Sequence, residues 1–75
     1  MPVFYFNVRC DEFHLTDIVG EDCPDAAEAR AEACRTAREL VQDELLSGRI
    51  PQGWIEVEDE EHRPVMVVSL RDVAS

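Results

Sequence analysis

The chain has little of what would announce a chemistry. Its three cysteines (Cys10, Cys23 and Cys34) are an odd number with no C-x-x-C pair among them, which argues against a disulfide framework. There is no glycine-rich phosphate loop and no G-x-S-x-G. No apolar stretch approaches the roughly 20 residues of a membrane span. The opening MPVFYFNVR lacks the basic n-region of a signal peptide and turns polar at Asn7. The expectation is a cytosolic protein with reduced thiols and no membrane attachment. Bases are scarce as well: seven against seventeen acids, a net charge of −10. Such a field repels phosphate backbones, because nucleic-acid affinity depends on basic side chains releasing counterions. Direct nucleic-acid binding is therefore not expected, whereas a basic protein partner would be steered in.

Seventy-five residues make a single domain, 1–75. A chain of this size buries only roughly 60–65% of its unfolded surface, so a second copy is one remedy for modest stability. No repeats, linkers or low-complexity segments interrupt it.

What is present is a helix between two pairs of strands. Phe4, Phe6 and Val8 alternate with Tyr5, Asn7 and Arg9, which predicts a first strand with an inner and an outer face. Asp11-Glu12 reads as a turn and FHLTDIV (residues 13–19) as a second strand, closed by Gly20. Asp25 is placed to cap a helix, with Glu28 three positions on and Pro24 before it. Ala26, Ala33, Ala37 and Leu40, flanked by Cys34 and Val41, form its inward face. Arg30 and Glu44 break that face where long side chains can snorkel to water. Gly48 suits a left-handed cap and Pro51 bars continuation. Ile50-Pro51-Gln52-Gly53 fits a type I turn. Ile55 and Val57 point inward on the next strand, DEEHRP (residues 59–64) forms a hairpin loop, and residues 65–70 form the last strand. That strand is apolar on both faces: Val65 and Val67 on one, Met66, Val68 and Leu70 on the other.

The fold predicted is α+β, β-β-α-β-β: a four-stranded, largely antiparallel sheet with one long helix packed on one face. The expected strand order is second–first–fourth–third, which puts the two most apolar strands at the centre. One helix covers one face only, so the uncovered face is the expected contact surface, and a homodimer the simplest way to hide it.

Catalytic and metal chemistry find no support. Cys10 and His14 lie four apart with Asp11 and Glu12 between them, but a closed zinc site needs about four ligands in paired spacings. Asp59, Glu60 and Glu61, like Glu21, Asp22 and Asp25, are loop acids, normally solvated and unsuited to acid–base work. Cys10 beside Arg9 is the one candidate for a cysteine nucleophile, and the surrounding acids oppose its thiolate. No catalytic, metal or cofactor-binding residue is assigned, and the chain is not expected to be an enzyme.

The contact candidates are Tyr5, Trp54, Val65 and Val67, together with the acids Glu21, Asp22, Asp59, Glu60 and Glu61. Tyr5 points away from the core face; Trp54 is expected to pack over the helix end.

The opening M-P-x-F-Y-F-x-V-R, Asp17 and Gly20, Pro24-Asp25, Ala29, Glu32 and Ala33, and Pro51 with Gly53-Trp54 together resemble a family of small uncharacterised bacterial proteins frequent in rhizobia and related alphaproteobacteria. The resemblance implies a compact α+β domain in a bacterial cytosol and brings no catalytic residue. Asp25-Ala26-Ala27-Glu28-Ala29 is also similar to a segment of HicB-type antitoxins, although the chain ends at Ser75 without the DNA-binding tail that such proteins often carry. Three functions follow: a non-catalytic protein-interaction module, an antitoxin-like or nucleic-acid-mimicking inhibitor of a basic partner, and a small-molecule sensor. Ionic strength separates the first two, since a charge-driven complex weakens steeply with salt.

Overall fold

The computed structural model of the chain describes residues 1–11, 13–48 and 52–74. Its elements are β1 (Val3–Cys10), β2 (His14–Leu15), β3 (Glu21–Asp22), α1 (Ala26–Leu46), β4 (Gly53–Glu58), β5 (Pro64–Ser69) and α2 (Leu70–Ala74). All strand pairings are antiparallel, in the order β2-β1-β4-β5, with β3 also on β1. The α+β class and the β-β-α-β-β sequence of elements are as expected, with one long helix.

Local signals explain the helix. Asp25 is extended (φ −159°) and its carboxylate accepts the Glu28 N–H at 2.9 Å, satisfying one of the orphan donors of the first turn. Gly48, at φ +77°, provides the left-handed exit. Ala29, Ala33, Ala37 and Val41 are buried, so the backbone of α1 lies close to the sheet. Ala26 is exposed, contrary to expectation, because the inward stripe starts one turn later, at Ala29. The core joins these residues to Phe4, Val8, Ile55, Val57, Val68 and Leu70. Leu70 does not end the last strand; it opens α2, where it is fully buried.

Two other expectations are corrected. β4, not the most apolar strand, lies beside β1, and β5 is an edge. Glu56 faces β1 and meets Arg9, whereas β5 offers Val65 and Val67 on that side and begins with Pro64, which suits an edge. The second strand, expected over residues 13–19, is shortened to β2, and beyond Gly20 a separate β3 pairs with β1. Between the Val8–Leu15 and Phe4–Glu21 pairs, residues 5–7 of β1 face residues 16–20, so two extra residues loop out. The turn expected at residues 11–12 lies partly, and that at residues 50–53 half, outside the described residues.

Asp17 repairs the break. One carboxylate oxygen accepts the Phe6 N–H (3.1 Å) and the other those of Val19 and Gly20 (3.0 Å each). Its own N–H donates to Oδ1 of Asn7, a buried polar side chain. Partial burial opposes the charge, but the backbone bonds from Gly20, Phe6 and Val19 prevail and hold the pKa below the usual carboxylate value. A lowered folded pKa means that the stabilisation is complete above the unfolded value and is lost as pH falls through the folded one. Asp17→Ala should therefore cost about 2–3 kcal/mol at neutral pH, with a smaller loss near about pH 3, in urea denaturation at both values. An equal cost at both would show that the charge contributes nothing.

Candidate interaction surface

Period-2 alternation, with α1 on one side only, sets this surface. On the face away from α1, the register forms rows: Arg9–Trp54–Ser69, Asn7–Glu56–Val67, and Tyr5 beside Glu58. Trp54 (43% exposed), Val65 (44%) and Val67 (58%) stand out from it. Trp54 therefore does not pack over the helix end, as expected from its position after a turn. It shares the open face with Tyr5, Val65 and Val67, so these four contact candidates are brought together.

Polar side chains frame the apolar ones. Arg9 Nε meets Glu56 Oε1 at 3.1 Å, while its guanidinium also donates to the carbonyls of Val8 and Leu15 and to Thr16 Oγ1. The Tyr5 ring rests against His62, with centroids 4.2 Å apart, and His62 Nδ1 lies 3.3 Å from Glu58 Oε1. Beyond Arg9, an open groove of about 500 Å³ is bounded by residues that include His14, Gln52, Trp54 and Arg71.

The acidic candidates gather at the opposite end, around the start of β1. Most are already engaged. Glu60 Oε1 accepts the Val3 N–H at 2.9 Å, extending the β1–β4 edge by a side chain. Asp59 accepts the N–H groups of Glu61 and Arg63, both at 2.9 Å, and pairs with the Arg63 guanidinium. The Arg63 N–H bond leads the causes that hold its carboxyl below the usual range. Glu61 pairs with Arg63 at 3.1 Å. Glu21 and Asp22, exposed on β3, are the more available pair.

None of the three cysteines is bridged. Cys23 is the buried one, and desolvation, helped by Glu21, Glu32, Glu28 and Asp22, pushes its thiol pKa up, away from the reactive thiolate. Among the described residues no group of three or more His, Cys, Asp or Glu is placed to hold a metal, and no helix is long and apolar enough to cross a membrane. Sequence reasoning missed the Arg9–Glu56 pair and the Tyr5–His62 contact. Arg9 and Tyr5 were visible on the outer face of the first strand, but their partners depend on the strand order.

No curated protein and no solved structure shows significant similarity to this chain. A family model, described as a domain of unknown function, matches residues 3–71, from the first residue of β1 into α2. With nearly its whole length matched, the chain belongs to the DUF6894 family.

Proposed function

We propose that this DUF6894 domain is a non-catalytic protein-interaction module that pairs with a second copy through its open sheet face. One observation carries the reading: Trp54, Val65 and Val67 are exposed together on the face that α1 leaves bare. Contiguous exposed apolar side chains mark contact surfaces, and tryptophan is a frequent anchor in them. The face is also polar end to end, with Arg9 and Arg71 at one end and Glu58 and Glu60 at the other. A two-fold partner stacked in the opposite sense sets unlike ends against each other, which offsets the repulsion between two chains of −10. In this reading the protein works in a bacterial cytosol, with its unbridged cysteines reduced.

The test is sedimentation velocity over a concentration series. The wild type is expected to dimerise, Trp54→Ala to weaken the dimer by about thirtyfold, and Val67→Glu to abolish it. A wild type that stays monomeric throughout overturns the reading. The antitoxin-like alternative, inhibition of a basic partner, then gains ground, supported by the exposed Glu21 and Asp22 at the acidic end.

A further inference from the structure

The free edge of the sheet carries unused hydrogen-bonding capacity. Odd-numbered residues of β1 direct their backbone groups toward β4, as the Val3 N–H bond to Glu60 illustrates, while even-numbered ones such as Phe6 serve the other side. The even-numbered β4 residues opposite them are used on that side, so Ile55 and Val57 turn their backbone groups toward Val68 and Met66 of β5. The N–H and C=O of Val67 and the N–H of Ser69 therefore point outward, and no described strand pairs with them; a register shift between Val57 and Glu58 interrupts the alternation at Val65. Alongside runs a groove of about 360 Å³ lined by Arg30, Arg38, Val67, Ser69, Asp72 and Val73 among others. Arg30 and Arg38 lie eight residues apart on one stripe of α1. Arg9, Arg35 and Arg63 each have an ion-pair partner; Arg30 and Arg38 have none among the described residues, in a chain with seventeen acids.

We propose that the β5 edge accepts an extended peptide as an added strand, with carboxylates of that peptide paired to Arg30 and Arg38. A second copy fits this edge poorly. Two β5 strands joined about a two-fold axis would bring two α1 helices alongside, with four guanidiniums that have no ion-pair partner among the described residues brought near one another. An acidic strand supplies both missing partners, the backbone bonds and the charges. Eight helical residues span about 12 Å, which an extended chain covers in about four residues. Four is even, so both carboxylates fall on one side of the added strand. The expected recognition element is thus two acidic residues separated by three others in an otherwise β-prone segment.

A random-peptide library displayed on phage and selected on the immobilised full chain tests this. Recovered peptides are expected to carry two acids about four positions apart and to slow hydrogen exchange at Val67 and Ser69. They should bind about tenfold more weakly to the Arg30→Gln/Arg38→Gln double variant, which keeps its fold because both side chains are exposed. Methylating alternate peptide nitrogens should also weaken binding, since an added strand uses its backbone. Peptides without acids, affinity unchanged by the double variant, protection on the open face instead, or an empty selection would each overturn the proposal. Protection of the same amides that rises with protein concentration alone would assign the edge to a second copy. Subunit mass tests the sheet face and peptide affinity tests the edge, so a monomer that binds such peptides refutes the first and keeps the second.

Discussion

Gly53→Ala is expected to unfold a large fraction of the protein at ambient temperature. Gly53 has φ +150° and pairs with Cys10 at the end of the β1–β4 ladder. A Cβ built there lands on the Arg9 carbonyl oxygen and within 2.7 Å of Cys10 Cα. Both are backbone atoms of the neighbouring strand, so relief requires β1 and β4 to separate rather than a side chain to rotate. A backbone conformation that L-residues rarely adopt adds about 1–3 kcal/mol to that clash. The whole domain is worth about 4–11 kcal/mol at typical stability per residue. Gly48→Ala is the control: φ is +77°, but nothing lies within 4 Å of the added carbon. It should cost only about 1 kcal/mol, the ordinary left-handed penalty. Urea midpoints of the two variants separate the close approach from the dihedral, and equal costs would deny the close approach.

Ile55→Ala should follow closely, at about 4–5 kcal/mol, the upper part of the range for such truncations. Ile55 is fully buried, with Val8 and Val68 as its cross-strand neighbours. The cost depends on whether the surroundings collapse into the void. Here the helix offers Ala29, Ala33 and Ala37, which have no side-chain length to swing inward. The strands on either side are held by their ladders. Ile55→Val, which removes one methylene, should cost about 1 kcal/mol. Thermal and urea unfolding of both variants check this; a loss of about 2 kcal/mol or less for alanine would show that the core can relax.

Which features were legible follows from how locally each is determined. Asp25, the alanines and Gly48 act within a few residues of themselves, and the helix they predict is the one present. Alternation placed Tyr5, Val65 and Val67 on the bare face, because side chains on a strand have no third direction. The interrupted second strand was not legible. Nothing in FHLTDIV reveals that Asp17 will satisfy Phe6 with its side chain, a bond across eleven positions. Strand order was misread by ranking strands on apolar content. A better signal was available in Pro64, which has no N–H to give a neighbour, and in Glu56, which needs the positive charge of Arg9. Arg30 looked like a snorkelling exception near the helix start. Its pairing with Arg38 beside an open edge emerges only once β5 is known to be that edge.

The gap between β2 and β3 has a consequence for how far this protein can assemble. A sheet with two continuous open borders is a template at both ends, and each added unit offers a fresh border to the next. Here one border consists of two-residue fragments, His14–Leu15 and Glu21–Asp22, out of step by two residues and ending in adjacent acids. The other is one continuous strand, Pro64–Ser69, with a register shift against β4 near its start. Edge-on addition can therefore begin on one side only, and a second copy added there would turn its own ragged border outward. Growth of this kind terminates after a single step, so an exposed β5 edge does not carry the hazard of running on into a fibre.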